Sequence, residues 1–437
     1  MSGRASALRV LTACRKNGAW ADAALAAELK RENLSAADAA LASRIVYGVL
    51  QNRMLLDHRL GAYCSQRLDH LQQPLPDILR IGAYQILFLD RVPDRAAVSE
   101  SVALARASKR AAAAGLVNAV LRRLSENKDR PPALPEDPIE RLCIETSHPR
   151  WLTERIVGIL GREEAGAFFR ANNAVAPVTA QVNRLKTTRD ALCSELAGAG
   201  IAAKPHPWAP DCLELSGVGD LTTLPAFYRG EFLVQDAAAW LTAPIAGAAP
   251  GMSVLDVCAA PGGKSFSAAL AMCGEGRIIA CDLHENKLKR VRDGAERLGI
   301  SCIETEAADG RIFRPEWESA FDAVLCDVPC SGLGIIRKKP DIRYKDPVPL
   351  AELPAIQRAI LANAARYVKR GGVLVYSTCT VLPEENEAVT DSFLAEHGEF
   401  RYEPFALPFG EADGHVTLWP QRHGTDGFYL AKVRREV

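Results

Sequence analysis

The chain lacks several features that would assign it quickly to a class. No apolar run reaches the roughly 20 residues needed to span a bilayer as a helix. The opening MSGRASALRV is basic but has no apolar core of the kind that marks a secretory leader. The expectation is a cytoplasmic protein whose thiols stay reduced. The 12 cysteines stand singly and no CxxC occurs, which argues against a disulfide framework and a structural zinc site. Most of them should be small buried apolar residues. Fixed-period repeats and low-complexity tracts are missing too. No net charge remains, with 53 Lys+Arg against 53 Asp+Glu. What is present, 48% apolar and 24% charged residues over 437 positions, describes a globular chain of two or three domains.

The balanced charge conceals an asymmetry. Residues 1–130 carry 20 Lys+Arg against 12 Asp+Glu, and the remainder carries the opposite excess. A positive front half fits an anionic partner such as nucleic acid, although a solvated helical surface would look the same. From Ser6 to about Leu124 apolar residues recur at three- and four-residue spacing, which predicts an all-α domain over 1–130. The Pro-rich stretch NKDRPPALPEDP (127–138) cannot continue a helix and reads as a linker. Short apolar runs between Gly/Pro turns then predict a small α+β module over 139–235. Over 236–437 the runs SVLDVCA, RIIACD, FDAVLCDVP and GGVLVYSTC alternate with helical stretches, as in a parallel sheet covered on both faces. Such α/β sheets bind ligands at the carboxyl ends of their strands.

The first of these runs leads into Cys258, Ala259, Ala260, Pro261, Gly262, Gly263, Lys264 and Ser265. Small residues there let backbone approach a ligand, and the following helix offers free N–H groups. A P-loop would need glycine at position 258, and the nicotinamide fingerprint GxGxxG is absent. An S-adenosylmethionine loop remains. Asp282, 20 residues after Gly262, stands where an acid can accept both ribose hydroxyls. Asp309 is placed for the adenine amino group, and Asp327 closes the next strand. Singly, each acid would read as a loop residue or a helix cap; three at successive strand ends favour a ligand.

Two cysteines follow strand ends, Cys330 in Asp-Val-Pro-Cys-Ser-Gly and Cys379 in Ser-Thr-Cys-Thr. Their turns argue against the burial expected of Cys281 or Cys326. Neighbouring strands lie about 5 Å apart, so both thiols can reach one cleft. Cytosine C5 is a poor nucleophile. A thiolate adding to C6 makes C5 nucleophilic, and cysteine both attacks and leaves well. Asp327 could stabilise the activated ring by protonating or hydrogen-bonding it. Lys264 could reach either the base or the cofactor carboxylate. The chemistry alone leaves open which thiol attacks.

Phe232–Asp236 (FLVQD), Asp256–Ser265 (DVCAAPGGKS), Asp327–Gly332 (DVPCSG), Lys339–Ile342 (KPDI), Ser377–Glu387 (STCTVLPEENE) and Asp426–Phe428 (DGF) together resemble the RsmB/Fmu/Sun family of RNA m5C methyltransferases. The resemblance implies a Rossmann-like class I methyltransferase domain. It makes Cys379 the nucleophile and Cys330 the group assisting product release, with cofactor contacts at Cys258–Lys264, Asp282, Asp309 and Asp327. DNA cytosine methyltransferases attack with the Pro-Cys cysteine, the reverse assignment. ILRIGAYQILFLDRVPDRAAVSESVALA and GLVNAVLRRL resemble the NusB-like domain joined to bacterial members, which implies small-subunit (16S) ribosomal RNA as substrate. Thr380 stands where family members often carry Ser, and Ala-Ala-Ala-Trp follows Gln235-Asp236 where Ser is common. Arg337, Lys338, Lys339, Arg343 and Lys345 would then contact RNA phosphates. The target base must be single-stranded or flipped out. The competing readings are the same chemistry on tRNA or DNA, and an RNA-binding antitermination factor with a vestigial catalytic half. No metal is called for, and nothing demands more than a monomer.

Overall fold

The computed structural model describes residues 2–108 and 110–437, which divide into two compact units. One holds the first 174 residues together with Ile336–Lys345; the other holds Val175–Ile335 and Asp346–Val437.

The first unit is helical. Its centre is the helix Leu75–Phe88, of which nearly every residue is buried, as the run ILRIGAYQILF, apolar apart from Arg80 and Gln85, favours. The helices Gly3–Asn17, Ala36–Gln51, Asp94–Ala107 and Ala114–Glu126 pack around it through Val10, Ile45, Val49, Val98, Leu104, Val117 and Leu121. Close approach is built in at Gly48, where a Cβ would lie 1.9 Å from the Tyr84 ring. The buried Arg80 is paired twice, donating to the half-buried Asp57 at 2.7 Å and to the buried Asp77 at 3.0 Å. Residues 127–137 form neither helix nor strand, yet the unit continues past them through helices Pro138–Thr146, Arg150–Leu160 and Arg162–Asn173. The sequence reading places these helices in the module over 139–235, whereas by compactness they group with the helical unit. Their apolar faces (Leu142, Leu152, Ile156, Phe168, Phe169) are buried, and Ser147 Oγ accepts the Leu55 N–H at 3.1 Å.

The second unit begins with a four-stranded antiparallel sheet of β1 (Val178–Val182), β2 (Ala202–Pro205), β3 (Cys212–Ser216) and β4 (Phe232–Val234), in the order β2-β3-β1-β4. The helix Arg189–Gly198 packs Leu192 and Leu196 against Ala180, Val182, Leu213 and Phe232. The larger sheet contains β5 (Ser253–Asp256), β6 (Arg277–Asp282), β7 (Ile303–Ala307), β8 (Phe321–Asp327), β9 (Val368–Thr378), β10 (Phe400–Tyr402), β13 (His415–Leu418) and β14 (Phe428–Arg435); a hairpin of β11 (Phe405–Leu407) and β12 (Gly410–Ala412) stands apart. Its order is β10-β14-β9-β8-β5-β6-β7, with β13 beside β14. The strands β5 to β9 are parallel, whereas β14 joins β9 antiparallel. Alternate residues feed two buried cores, Val254, Ile278, Leu325 and Val375 on one face and Leu255, Ile279, Val324 and Leu374 on the other. The chain reverses direction across the sheet between β5 and β8, so the loops leaving those strands part and open a cleft.

Candidate active site

The loop after β5 is shaped for close approach. Gly262 has φ +114°, and a Cβ there would lie 2.4 Å from the Phe266 ring. Its N–H donates to Ala259 O at 2.7 Å, and the helix Gly263–Ala271 starts immediately after it. Asp256 lies fully buried beneath the turn. Its Oδ2 accepts from Ser265 Oγ at 2.7 Å, while Oδ1 has no hydrogen-bond partner. Burial pushes this carboxyl up to about 6.

A cleft of about 480 Å³ opens beside this loop. Of the residues expected at a cofactor site, Cys258, Ala260, Asp282, Asp309 and Asp327 line it, among apolar walls from Val257, Leu283, Ile356 and Ile360. Ala259, Pro261, Gly262 and Gly263 shape the loop without lining the cleft. Asp282 accepts the His284 N–H at 3.0 Å and pairs with Lys287 at 3.3 Å. Asp309 is gripped by Arg311, whose guanidinium donates at 2.9 and 2.6 Å and holds the carboxyl below its usual range. At the opposite side Lys264 Nζ meets Asp327 Oδ2 at 2.6 Å, and Asp327 Oδ1 accepts from Ser377 Oγ at 2.8 Å. Burial alone would lower the Lys264 pKa, but the Asp327 charge and hydrogen bond outweigh it and the net shift is upward.

Cys330 and Cys379 both line this cleft, with their sulfurs 3.2 Å apart. The residues that follow them are tied together, Ser331 Oγ to Thr380 Oγ1 at 2.7 Å. Glu385 Oε2 accepts from the Ser331 N–H and from Gln357 Nε2, both at 2.9 Å, and Gln357 Nε2 also reaches Pro329 O at 3.0 Å. Asn386 Oδ1 accepts from Thr378 Oγ1 at 2.6 Å. The DGF turn closes the back: Gly427 N donates to Gly334 O at 2.8 Å, and Gly334 N to Cys379 O at 2.9 Å. A Cβ on Gly334 would stand 1.9 Å from Gly427 O. Residue-by-residue reading had given Ser377, Gln357, Glu385 and Asn386 no role. The PEENE run after Cys379 was the one available signal, and the partners of Gln357 lie 28 residues away on either side.

The basic segment expected to meet phosphates is placed differently. Arg343 is 0% exposed. Its Nη1 donates to Asn173 Oδ1 at 2.9 Å and to the carbonyls of Ser147, Thr146 and Gln51 at 3.2, 3.3 and 3.4 Å. Thr146 and Gln51 end helices, where carbonyls lack intrahelical donors and attract cations. Lys345 Nζ donates to Gly18 O at 2.6 Å and sits 4.4 Å over the Trp20 ring, while Lys339 pairs with Asp22 at 3.2 Å. Asp341 Oδ2 accepts from the Ala21 N–H at 3.1 Å, serving the start of a helix without a side-chain cap of its own. Arg337 is buried and Lys338 half-buried. The segment therefore helps to build the helical unit, and Arg343 has no exposed atom to offer a phosphate. A separate cleft of about 540 Å³ in that unit is lined by Arg95, Ser99, Asn118 and Arg122, alongside Asp94 and Glu126.

Among the described residues no group of three or more His, Cys, Asp or Glu side chains could hold a metal ion, and no helix is long and apolar enough to cross a membrane.

Three family models match the chain: NusB family over 1–126, a ferredoxin-like domain of RsmF/B-like methyltransferases over 148–222, and 16S rRNA methyltransferase RsmB/F over 247–434. A probable ribosomal RNA small subunit methyltransferase B of Bacillus subtilis is 36% identical, covering 100% of this chain and 99% of that one. The ribosomal RNA small subunit methyltransferase B of Pseudomonas putida is 35% identical over 99% and 98%. Among solved structures, PH0851 matches at TM-score 0.81 and 27% identity over 100% of this chain and 99% of that one. A methyltransferase homologue from Pyrococcus horikoshii matches at TM-score 0.59 and 28% identity, over 70% of this chain and all of the other.

Proposed function

As this chain belongs to the RsmB/F family of 16S rRNA methyltransferases, we propose that it methylates C5 of a cytosine in small-subunit ribosomal RNA, using S-adenosylmethionine and a covalent Cys379–C6 adduct. The observation that carries this reading is the pair of thiols 3.2 Å apart, lining one cleft with the strand-end carboxylates.

The residues fit the methyl donor. Gly262 provides a loop that a side chain would close, Asp282 and Asp309 bring acceptors into an apolar cleft, and Asp256 keeps one buried oxygen unpartnered beneath the loop. The donor, when bound, supplies an electrophilic methyl group on a sulfonium. Cys379 Sγ then forms a bond to C6, leaving C5 nucleophilic toward that methyl group. Asp327, already paired with the Lys264 ammonium, acts as an acceptor for the exocyclic amine or the protonated N3 of the ring. After the C5 proton is removed, the Sγ–C6 bond breaks, with Cys330 assisting from the neighbouring turn. Glu385, Gln357 and the Ser331–Thr380 bond keep the two turns in register, so that both sulfurs address one base. The helical unit, with its excess of Lys+Arg over residues 1–130, contributes RNA affinity, and Arg95 and Arg122, which share a cleft with Asp94 and Glu126, are candidate contacts.

Incubating the purified full chain with S-adenosylmethionine and small-subunit rRNA, then mapping bisulfite-resistant cytosines, tests the reading. One new resistant cytosine is expected with the wild type and none with Cys379→Ala. Unmodified rRNA in both samples would reject it.

A further inference from the structure

The two thiols that line the cleft face each other as closely as they face any base. We propose that Cys330 and Cys379 close a reversible disulfide when the chain meets a peroxide, and that the bridged form is a protected state without methyltransferase activity. This rests on the reading of both cysteines as groups of the catalytic cleft.

The sulfurs lie 3.2 Å apart although 49 residues separate them in sequence. A disulfide bond measures about 2.05 Å, so closure asks for a movement of roughly 1.2 Å. The backbone suits it. Asp327 and Ser377 are register partners on the parallel strands β8 and β9, three residues before Cys330 and two before Cys379. Neighbouring strands run about 4.8 Å apart, inside the roughly 4.4–6.8 Å between Cα atoms that a disulfide spans. Beyond the strands the turns stay joined, by Ser331 Oγ to Thr380 Oγ1 at 2.7 Å and by the Gly334 N–H on Cys379 O at 2.9 Å. The fold thus holds the sulfurs together before any oxidant arrives, and little loop-closure entropy is left to lose. Access is provided too. Both thiols are half-buried and line the 480 Å³ cleft, whereas Cys281 and Cys326 are buried.

With hydrogen peroxide the chemistry balances in two stages. One sulfur attacks a peroxide oxygen, the O–O bond breaks, and a sulfenic acid and water form. The neighbouring thiol attacks that sulfur, the S–O bond breaks, a second water leaves and the S–S bond is made. The pair gives up two electrons and two protons, and the peroxide becomes two waters. The contact is symmetric, so either sulfur can begin. A sulfenic acid without a thiol neighbour goes on to sulfinic acid, which thiols do not reverse, while a disulfide is reopened by thiol exchange. While bridged, neither sulfur can bond to C6.

The test adds hydrogen peroxide to the full chain without RNA and maps non-reduced peptides by mass spectrometry. A peptide pair joining Cys330 to Cys379, lighter by two hydrogens, is expected. Methylation of small-subunit rRNA should fall in proportion to the bridged fraction and return with dithiothreitol. In Cys330→Ala, and in Cys330→Ser as a second variant, Cys379 should proceed to sulfinic acid, and dithiothreitol should not restore its thiol. Three results would overturn the proposal: no linked pair under peroxide that already oxidises the exposed Cys273, a link from Cys258 of the same cleft instead, or equal recovery of the Cys379 thiol in Cys330→Ala. The link is read without methyl transfer, so its absence beside intact rRNA methylation rejects the bridge and leaves the proposed function standing. A bridge in a chain that methylates no rRNA rejects that function instead.

Discussion

Replacing Arg343 separates a structural cation from an RNA-binding one. Its Nη1 has two hydrogens for four acceptors at 2.9, 3.2, 3.3 and 3.4 Å. About two good bonds are therefore made, each worth roughly 1.5–3 kcal/mol because the donor is charged. Against them stand Nε and Nη2, both buried with no partner, at about 1–3 kcal/mol each. These contributions nearly cancel, as is common for a buried charge. The acceptors also lose little, since Thr146 O keeps Asn173 Nδ2 at 2.7 Å and Ser147 O keeps Tyr344 OH at 3.1 Å. What remains is packing. Arg343→Ala removes the two buried methylenes Cγ and Cδ, worth about 0.8 kcal/mol each, so a loss of about 1.5–2 kcal/mol is expected, while Arg343→Met, which fills the space of both, should cost under about 1 kcal/mol. Urea unfolding of the full chain followed by helical circular dichroism measures both. RNA titrations over a salt series should show an unchanged slope for Arg343→Met. Unchanged stability in Arg343→Ala, with a salt slope smaller by roughly 0.7–0.9, would restore the phosphate contact and refute the reasoning.

Three other perturbations probe separate parts of the account. Asp327→Asn removes the partner of Lys264 and should cut methyl transfer by about 10²–10⁴-fold, with cofactor binding measured by calorimetry weakened far less; full activity would reject the role. Reversing Arg95 and Arg122 to Glu should weaken RNA binding and flatten its salt dependence without moving the melting temperature; an unchanged slope would remove that cleft from the RNA path. Arg434 and Lys432 hold the Glu403 carboxyl down at about 2, from an ordinary 4.5. A depressed carboxyl stabilises the fold above its unfolded pKa and ceases to do so as pH falls through the folded one, so stability is lost between pH 4.5 and 2, by about 1 kcal/mol once solvent screening of this partly exposed pair is allowed for. In Glu403→Gln the urea midpoint should fall less steeply over that window, and an identical pH profile would contradict the pairing.

The parts of the site that can be read in the chain are those where a short apolar run ends in a distinctive turn. Asp256, Asp282 and Asp327 end β5, β6 and β8, and Cys330 and Cys379 follow β8 and β9, because runs buried on both faces announce where the backbone must leave the sheet. Partners set by tertiary contact are not legible in this way. Glu385 joins the two cysteine turns through a backbone N–H and a glutamine on another helix, and no local pattern specifies either. Arg343 misleads for a related reason. A cation in a basic run reads as solvated until helix ends nearly 200 residues away and more enclose it. The boundary at Ala174 is hidden similarly: the Pro-rich stretch at 127–138 does interrupt the helices, yet the three helices beyond it remain with the helical unit. The antiparallel addition of β14 to β9 likewise depends on pairing between distant segments.

The central claim, that Cys379 attacks the base and Cys330 assists release, is tested most directly by locating the covalent bond. RNA carrying 5-fluorocytosine should trap the wild type after methyl transfer, since C5 then bears fluorine in place of the proton whose removal allows elimination. Mass spectrometry of the digested adduct should find the nucleotide on Cys379. Cys379→Ala should give no adduct, and Cys330→Ala should accumulate one even with ordinary RNA. A nucleotide on Cys330, or an adduct surviving in Cys379→Ala, would contradict the assignment.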